Sequence, residues 1–103
     1  MTSKDLIEHR LEKVASKCRE VVADPNIQHV LTVIQSNEDT TIQILIEATG
    51  LSKDVLQDCL RQLLQTPLIN QYVRLEDTTR RFYKLTDFGV KFLDDYHEGH
   101  ARR

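Results

Sequence analysis

The step Gly50-Leu51-Ser52 divides two short helical patterns and constrains the fold more than any other part of the chain. A glycine just past the end of a helix supplies the left-handed backbone angle that stops it, and a serine before the next helix accepts a hydrogen bond from a free amide. The apolar residues that follow recur at helical spacing; they are Val55, Leu56, Cys59, Leu60, Leu63 and Leu64. The sequence therefore predicts two helices joined by a tight turn, a helix-turn-helix.

An N-terminal helix is predicted over Ser3 to Ala23, because apolar residues recur there at steps of four and three. This spacing places them along one seam of a helix, which needs an apolar partner; the seam consists of Ile7, Leu11, Val14, Cys18 and Val21. Pro25 breaks the pattern, since proline lacks a backbone donor but fits the first turn of a new helix. We expect a second helix over about residues 25 to 36, with Asp24 as its N-cap.

Residues 42 to 49 are ambiguous, because β-branched side chains typical of a strand also keep helical spacing there. We favour a short helix, with Thr40 or Thr41 as its N-cap. This helix would be the first of the helix-turn-helix, and Gly50 would end it.

A β-hairpin is predicted after Pro67, with strands over Gln71 to Leu75 and Arg81 to Leu85 joined by a loop of residues 76 to 80. Thr86 then caps a last helix, whose apolar face carries Phe88, Phe92, Leu93 and Tyr96. The predicted fold class is mainly α with a small β-hairpin (α+β).

The charge of the chain is distributed unevenly. The formal net charge is -2, but residues 74 to 84 form a net-positive block, the only one before the C-terminal tail. Its cations are Arg74, Arg80, Arg81 and Lys84, against the acids Glu76 and Asp77. A positive segment in an acidic chain marks the hairpin as a candidate contact for a polyanion.

The sequence favours a soluble binding protein over an enzyme or a membrane protein. No apolar run approaches the roughly 18 residues of a membrane span, and the polar start lacks the apolar core of a signal peptide, so we expect a cytoplasmic protein. Cys18 and Cys59 have no metal-ligand spacing and are expected to be buried free thiols. His97 and His100 are expected to be solvated. No nucleophile with its base and no phosphate-binding glycine loop is recognisable, so neither a catalytic residue nor a metal or cofactor is predicted.

From Gln43 to about Tyr96 the chain resembles winged-helix transcription regulators of the multiple-antibiotic-resistance (MarR-like), PadR-like and ArsR-like kinds. The resemblance depends on three motifs, which are Gly50-Leu51-Ser52, Leu68-Ile69 and Tyr83-Lys84-Leu85-Thr86-Asp87-Phe88-Gly89. It implies a winged helix-turn-helix with an extra N-terminal helix, a homodimer and double-stranded DNA as partner. Residues 1–24 would then be a dimerisation helix, 25–97 the winged-helix domain including the C-terminal helix, and 98–103 a tail.

The resemblance also implies which residues meet DNA. A recognition helix of about residues 52–65 would enter the major groove, and the wing of about residues 74–84 would contact the backbone or the minor groove. The expected DNA-binding residues are Ser52, Lys53, Gln57, Arg61, Arg74, Arg80, Arg81 and Lys84, with Arg80 and Arg81 at the wing tip. Gln57 and Arg61 lie one turn apart, which suits readout of adenine and guanine.

The expected dimer interface combines the seam of the first helix with the aromatic face of the last. Its residues are Ile7, Leu11, Val14, Cys18, Val21, Phe88, Phe92 and Tyr96. Asp54 and Asp58 depart from the family pattern, because acids near phosphates weaken binding unless they accept from a cytosine amino group. The alternative is therefore a winged-helix module that binds a basic protein partner and little or no DNA. The sequence marks no pocket for a small-molecule effector.

Overall fold

The computed structural model describes the backbone of residues 3–101 and the side chains of residues 12–98. The elements in chain order are α1 (Ser3–Val22), α2 (Pro25–Ser36), α3 (Ile42–Thr49), α4 (Lys53–Leu64), β1 (Ile69–Arg74), β2 (Asp77–Leu85) and α5 (Asp87–Ala101). The predicted α+β class and the helix-turn-helix formed by α3 and α4 are confirmed. None of the helices described is both long enough and apolar enough to span a lipid bilayer.

Local capping chemistry sets the helix boundaries close to those predicted. The Asp24 carboxylate accepts from the Asn26 amide at 2.9 Å and starts α2. Thr41, one of the two candidates, caps α3, and Gly50 ends α3 with a left-handed φ of 73°. The Ser52 hydroxyl accepts from the Val55 amide at 3.3 Å. Each contact satisfies a backbone group that a helix end leaves free, so the turn between α3 and α4 is defined by its own residues.

One hydrophobic core joins the four N-terminal helices to the start of the hairpin and to α5. Its largest fully buried apolar side chains are Ile27, Ile34, Leu45, Leu56, Leu63, Leu68, Val22, Val30 and Cys18. Both cysteines are buried free thiols, as predicted, and burial raises the pKa of each thiol.

The C-terminal part of the α1 seam packs against the chain's own core. Cys18 and Val21 are only 0% and 4% exposed in the single chain, which leaves almost no surface for a second subunit. Their assignment to a dimer interface stays a prediction that this burial does not favour, because α2 and the rest of the core already provide the apolar partner that the heptad spacing requires. Val14 is only partly buried, and the side chains of Ile7 and Leu11 lie outside the described residues.

The hairpin differs from the prediction, because its turn is shorter and lies earlier in the chain. β1 ends at Arg74 and β2 begins at Asp77, so the turn consists of Leu75 and Glu76. The antiparallel register pairs Tyr72 with Phe82 and Arg74 with Asp77. Between these two pairs β1 has a single residue, whereas β2 has four, and the register is irregular there.

Arg80 and Arg81 belong to this irregular part of β2, so their predicted position at the tip of the hairpin is wrong. The Asp77 carboxylate contributes to the shorter turn, because it accepts from the Thr79 amide at 3.2 Å and from the Thr79 hydroxyl at 2.7 Å. These local hydrogen bonds order a polar segment that its composition predicts to be a loop.

Two backbone hydrogen bonds near its base fix the position of the hairpin relative to the helices. The Tyr83 amide donates to the Thr40 carbonyl at 2.8 Å, which joins β2 to the residues just before α3. The Thr86 amide donates to the Leu68 carbonyl at 3.0 Å and holds the start of α5 against the start of β1. α5 continues to Ala101, beyond the expected boundary at residue 97.

Candidate nucleic-acid interface

The amphipathic pattern of α4 leaves a continuous polar face exposed. Its apolar side consists of Leu56, Cys59, Leu60 and Leu63, all buried in the core. The opposite side is exposed to solvent; it carries Lys53, Asp54, Gln57, Asp58 and Arg61. Burial of three leucines and a cysteine thus fixes which side chains of α4 are free to meet another molecule.

Charges on this face cancel, partly through direct pairing. The Arg61 guanidinium forms an ion pair with the Asp58 carboxylate, which also accepts from the Gln62 amide nitrogen at 2.9 Å. Lys53 has no ion pair among the described side chains 12–98, and the same holds for Asp54. The face of α4 therefore offers hydrogen-bonding groups but no excess of positive charge.

Arg74 is part of a network that joins the hairpin to the segment before α3. Its guanidinium donates to Asp39 at 2.5 Å, lies 3.3 Å from the Glu76 carboxylate and stands over the Phe82 ring at 5.8 Å. The Tyr72 hydroxyl donates to the other oxygen of the Asp39 carboxylate. Arg74 therefore supports the hairpin structurally, and its predicted role in binding an external anion is not favoured by its contacts.

The pKa of Tyr72 is raised to about 12 at this position. Burial is the main cause, and the hydrogen bond to the Asp39 carboxylate adds to it. Tyr72 consequently stays protonated and remains a donor to Asp39 throughout the neutral range.

The other hairpin cations are more available than Arg74. Arg80 lies 3.4 Å from the Asp77 carboxylate, but its side chain is 65% exposed. Arg81 is exposed and has no ion pair within the described side chains. The Lys84 ammonium stands over the Tyr72 ring at 5.4 Å, on the part of β2 nearer to α5.

A cleft of about 760 Å³ separates the starts of α3 and α4 from the irregular part of β2. Four of the predicted site residues line it, namely Lys53, Gln57, Arg80 and Arg81. The other four predicted residues do not line it; they are Ser52, Arg61, Arg74 and Lys84. Three cations, Lys53, Arg80 and Arg81, and one carboxylate, Asp39, line this cleft, so it is the place where α4 and the hairpin together present positive charge.

A second concavity of about 310 Å³ continues along the rest of α4. It brings Gln57 and Arg61 of α4 to the same hollow as Gln71 of β1. Gln57 lines both spaces, which places it at the centre of the polar surface shared by α4 and the hairpin.

The sequence analysis did not assign the other lining residues of the cleft to the site, among them the polar Gln43, Asp39 and Thr79. Gln43 comes from the first turn of α3, Asp39 from the segment before it and Thr79 from β2. The Thr41 cap was a usable signal for Gln43, because it places that residue in the first turn of α3. No sequence signal indicates Asp39 and Thr79, since their positions depend on the attachment of β2 to Thr40.

No protein-family model matches this chain, and no curated protein matches it in sequence. Solved structures do match. The MepR-DNA complex of S. aureus is 23% identical, with 91% of this chain and 78% of that chain covered and a TM-score of 0.69. A mutant of S. aureus MepR is 22% identical, with 99% and 79% covered and a TM-score of 0.72. NolR from Sinorhizobium fredii is 19% identical, with 95% and 92% covered and a TM-score of 0.70.

This chain has the winged-helix fold. In this fold α3 and α4 form the helix-turn-helix, and the β1–β2 hairpin is the wing. Likeness extends over nearly the whole chain, so α1 and α5 belong to the shared architecture as well.

The winged helix also exposes an aromatic stripe on α5. Phe88 and Phe92 stack with ring centroids 6.1 Å apart, and Phe92 and Tyr96 stack at 6.3 Å. Phe88 is 40% exposed, and Val90 beside it is 42% exposed. Of the three residues predicted for a dimer contact on α5, Phe88 is therefore exposed, whereas Phe92 and Tyr96 are half-buried and pack against the core.

Proposed function

We propose that this winged-helix chain is a transcription regulator that binds double-stranded DNA. The observation that carries the proposal is the cleft in which Lys53 and Gln57 of α4 face Arg80 and Arg81 of the wing. A helix that enters a major groove and a hairpin that reaches the adjacent minor groove must have a phosphate backbone between them. The cleft offers cations from both elements at that position.

In this arrangement the residues have different tasks. Lys53, Arg80 and Arg81 bind phosphates, which supplies affinity without sequence preference. Gln57 stands on the exposed face of α4 and reads a base edge, for which adenine is the preferred partner of a glutamine. The MepR-DNA complex among the similar structures supports the choice of DNA as ligand.

We further propose that the regulator acts as a homodimer through α1 and the aromatic stripe of α5. The apolar surface on α5 consists of the exposed Phe88 and the half-buried Phe92 and Tyr96, and the half-buried Val14 is an apolar contact on α1. A two-fold axis would place two copies of α4 in successive major grooves about 34 Å apart and would require a palindromic site.

The test of DNA binding is a pair of double substitutions with equal loss of charge. Arg80→Ala with Arg81→Ala should weaken binding to all duplexes and lower the slope of log affinity against log salt by about 1.8, since each phosphate contact contributes about 0.9. Lys13→Ala with Lys17→Ala removes two exposed cations from α1 and should leave the slope nearly unchanged. Equal slopes for the two double variants would remove the wing from the interface.

The role of Gln57 is tested separately. Gln57→Ala should change the sequences that the protein selects from a random duplex pool, while its salt slope stays that of the unchanged protein. Identical selected sequences would exclude Gln57 as a base reader.

A second candidate function is a protein-interaction module. The charge balance on α4 favours it, because Asp54 is unpaired within the described region and Asp58 already holds Arg61. Absence of any duplex binding at micromolar protein and low salt would support this candidate, because nonspecific attraction to DNA is strongest under those conditions.

A further inference from the structure

The wing ends in an exposed leucine. The turn between β1 and β2 consists of Leu75 and Glu76, and Leu75 is 98% exposed. Val73, two residues earlier and on β1, is 48% exposed. Hairpin turns ordinarily carry glycine, asparagine, aspartate, proline or serine, so a leucine here has no conformational reason.

The cations of the wing are set back from this tip. Arg74 points to Asp39 and stands over Phe82, and Arg80 and Arg81 lie farther along β2. Glu76 is the other turn residue, and the Arg74 guanidinium 3.3 Å away partly balances its charge. The turn of the wing therefore carries an almost fully exposed apolar side chain, and Arg80 and Arg81 follow it farther along β2.

We propose that Leu75 is a wedge that the wing inserts into the minor groove of DNA and that partly unstacks one base step. Proteins that bend DNA use leucine and other apolar side chains in this way. The inference rests on the proposed DNA binding. The minor groove is walled by phosphates and floored by base edges, which matches an apolar tip with Arg80 and Arg81 set behind it. A protein partner for the same leucine would not require those arginines.

The wedge makes the protein sensitive to DNA deformability. Pyrimidine–purine steps such as TA and CA/TG unstack most easily, so they are expected where the wing meets the selected site. This preference would arise without any hydrogen bond from the wing to a base.

The experiment compares Leu75→Ala with the control Val73→Ala. The control shortens an exposed apolar side chain on β1, outside the turn. The probe is a duplex selected by the unchanged protein from a random pool. It carries a fluorophore pair at its ends to report bending, and 2-aminopurine at the pyrimidine–purine step to report unstacking. Because both side chains are exposed, both variants should keep the melting temperature of the unchanged protein.

We expect the unchanged protein and Val73→Ala to bend the duplex and to increase the 2-aminopurine fluorescence. Leu75→Ala should lose both signals and bind roughly tenfold more weakly, the scale of one leucine removed from an apolar contact. Weaker binding with unchanged bending and fluorescence would overturn the wedge. So would an unbent, fully stacked complex of the unchanged protein, although DNA binding itself would then stand. Absence of duplex binding would overturn both proposals.

Discussion

The ion pair with Asp58 holds the Arg61 side chain, and on the proposed DNA binding its removal should strengthen the affinity for DNA. In Asp58→Asn the Arg61 guanidinium loses its carboxylate partner and is free to meet a phosphate or a guanine. The two side chains are 49% and 72% exposed. A pair so exposed contributes only about 0.3 to 0.5 kcal/mol to stability, so the variant should remain folded.

The size of the gain follows from what Arg61 can contact. One additional phosphate would steepen the slope of log affinity against log salt by about 0.9. A guanine contact would add about 1 to 3 kcal/mol, or roughly 5-fold to 150-fold, on duplexes with guanine at the matching position. Selection from a random pool should therefore recover guanine at a position where the unchanged protein has none.

Two further variants separate release of Arg61 from a general loss of negative charge. Asp54→Asn removes one acid from the same helix face without changing the Asp58–Arg61 pair. Asp58→Asn with Arg61→Ala removes the group that is supposed to be released. Binding is measured by fluorescence anisotropy over a series of salt concentrations. Equal gains from Asp54→Asn and Asp58→Asn, or a gain that persists without Arg61, would refute the reasoning.

Two other predictions concern the framework behind the interface. Gly89→Ala should lower the free energy of unfolding by about 3 kcal/mol, because a Cβ there would lie 2.2 Å from the Leu68 carbonyl oxygen. In Gly50→Ala the new Cβ meets no atom within 4 Å, but the alanine must adopt a φ of 73°, which should lower the free energy of unfolding by about 1 kcal/mol. Urea denaturation in which Gly50→Ala lowers this free energy more than Gly89→Ala would contradict the ranking. Asp39→Asn should lower the Tyr72 pKa from about 12 part of the way toward 10, since burial remains as its main cause. Because the pKa of Tyr72 is higher in the folded protein, the stability linked to it is present below pH 10 and is lost as the pH rises toward 12. In Asp39→Asn this loss should occur over a narrower pH range. An ultraviolet titration of Tyr72 that is the same in both proteins would exclude the hydrogen bond as a cause.

The helices were predictable because their signals are local. Asp24, Thr41 and Ser52 cap their own helices, and Gly50 ends α3, within a few residues of the positions that the sequence marks. The turn of the wing was not predictable in this way. Leu75 and Glu76 carry no turn chemistry, and the polar residues after them resemble a loop until the register with β1 is known.

The interface was predicted only in part, because pairing over long sequence distances decides which cations are available. Arg74 and Asp39 are 35 residues apart, and composition alone does not distinguish Arg74 from Arg81. The seam of α1 has the same limitation. Apolar spacing requires burial of Cys18 and Val21 but does not reveal whether the partner is the same chain or another.

The attachment of β2 to Thr40 makes α3 a spacer between the two candidate contact surfaces. The wing is tied to the residues before α3, while α4 leaves from its other end at Gly50. With 8 residues, α3 is about 12 Å long. Adding or deleting one residue would turn one surface against the other by about 100°, even though each surface kept its own side chains and local structure. The length of α3 therefore sets how the two surfaces are turned toward each other, whichever side chains they carry.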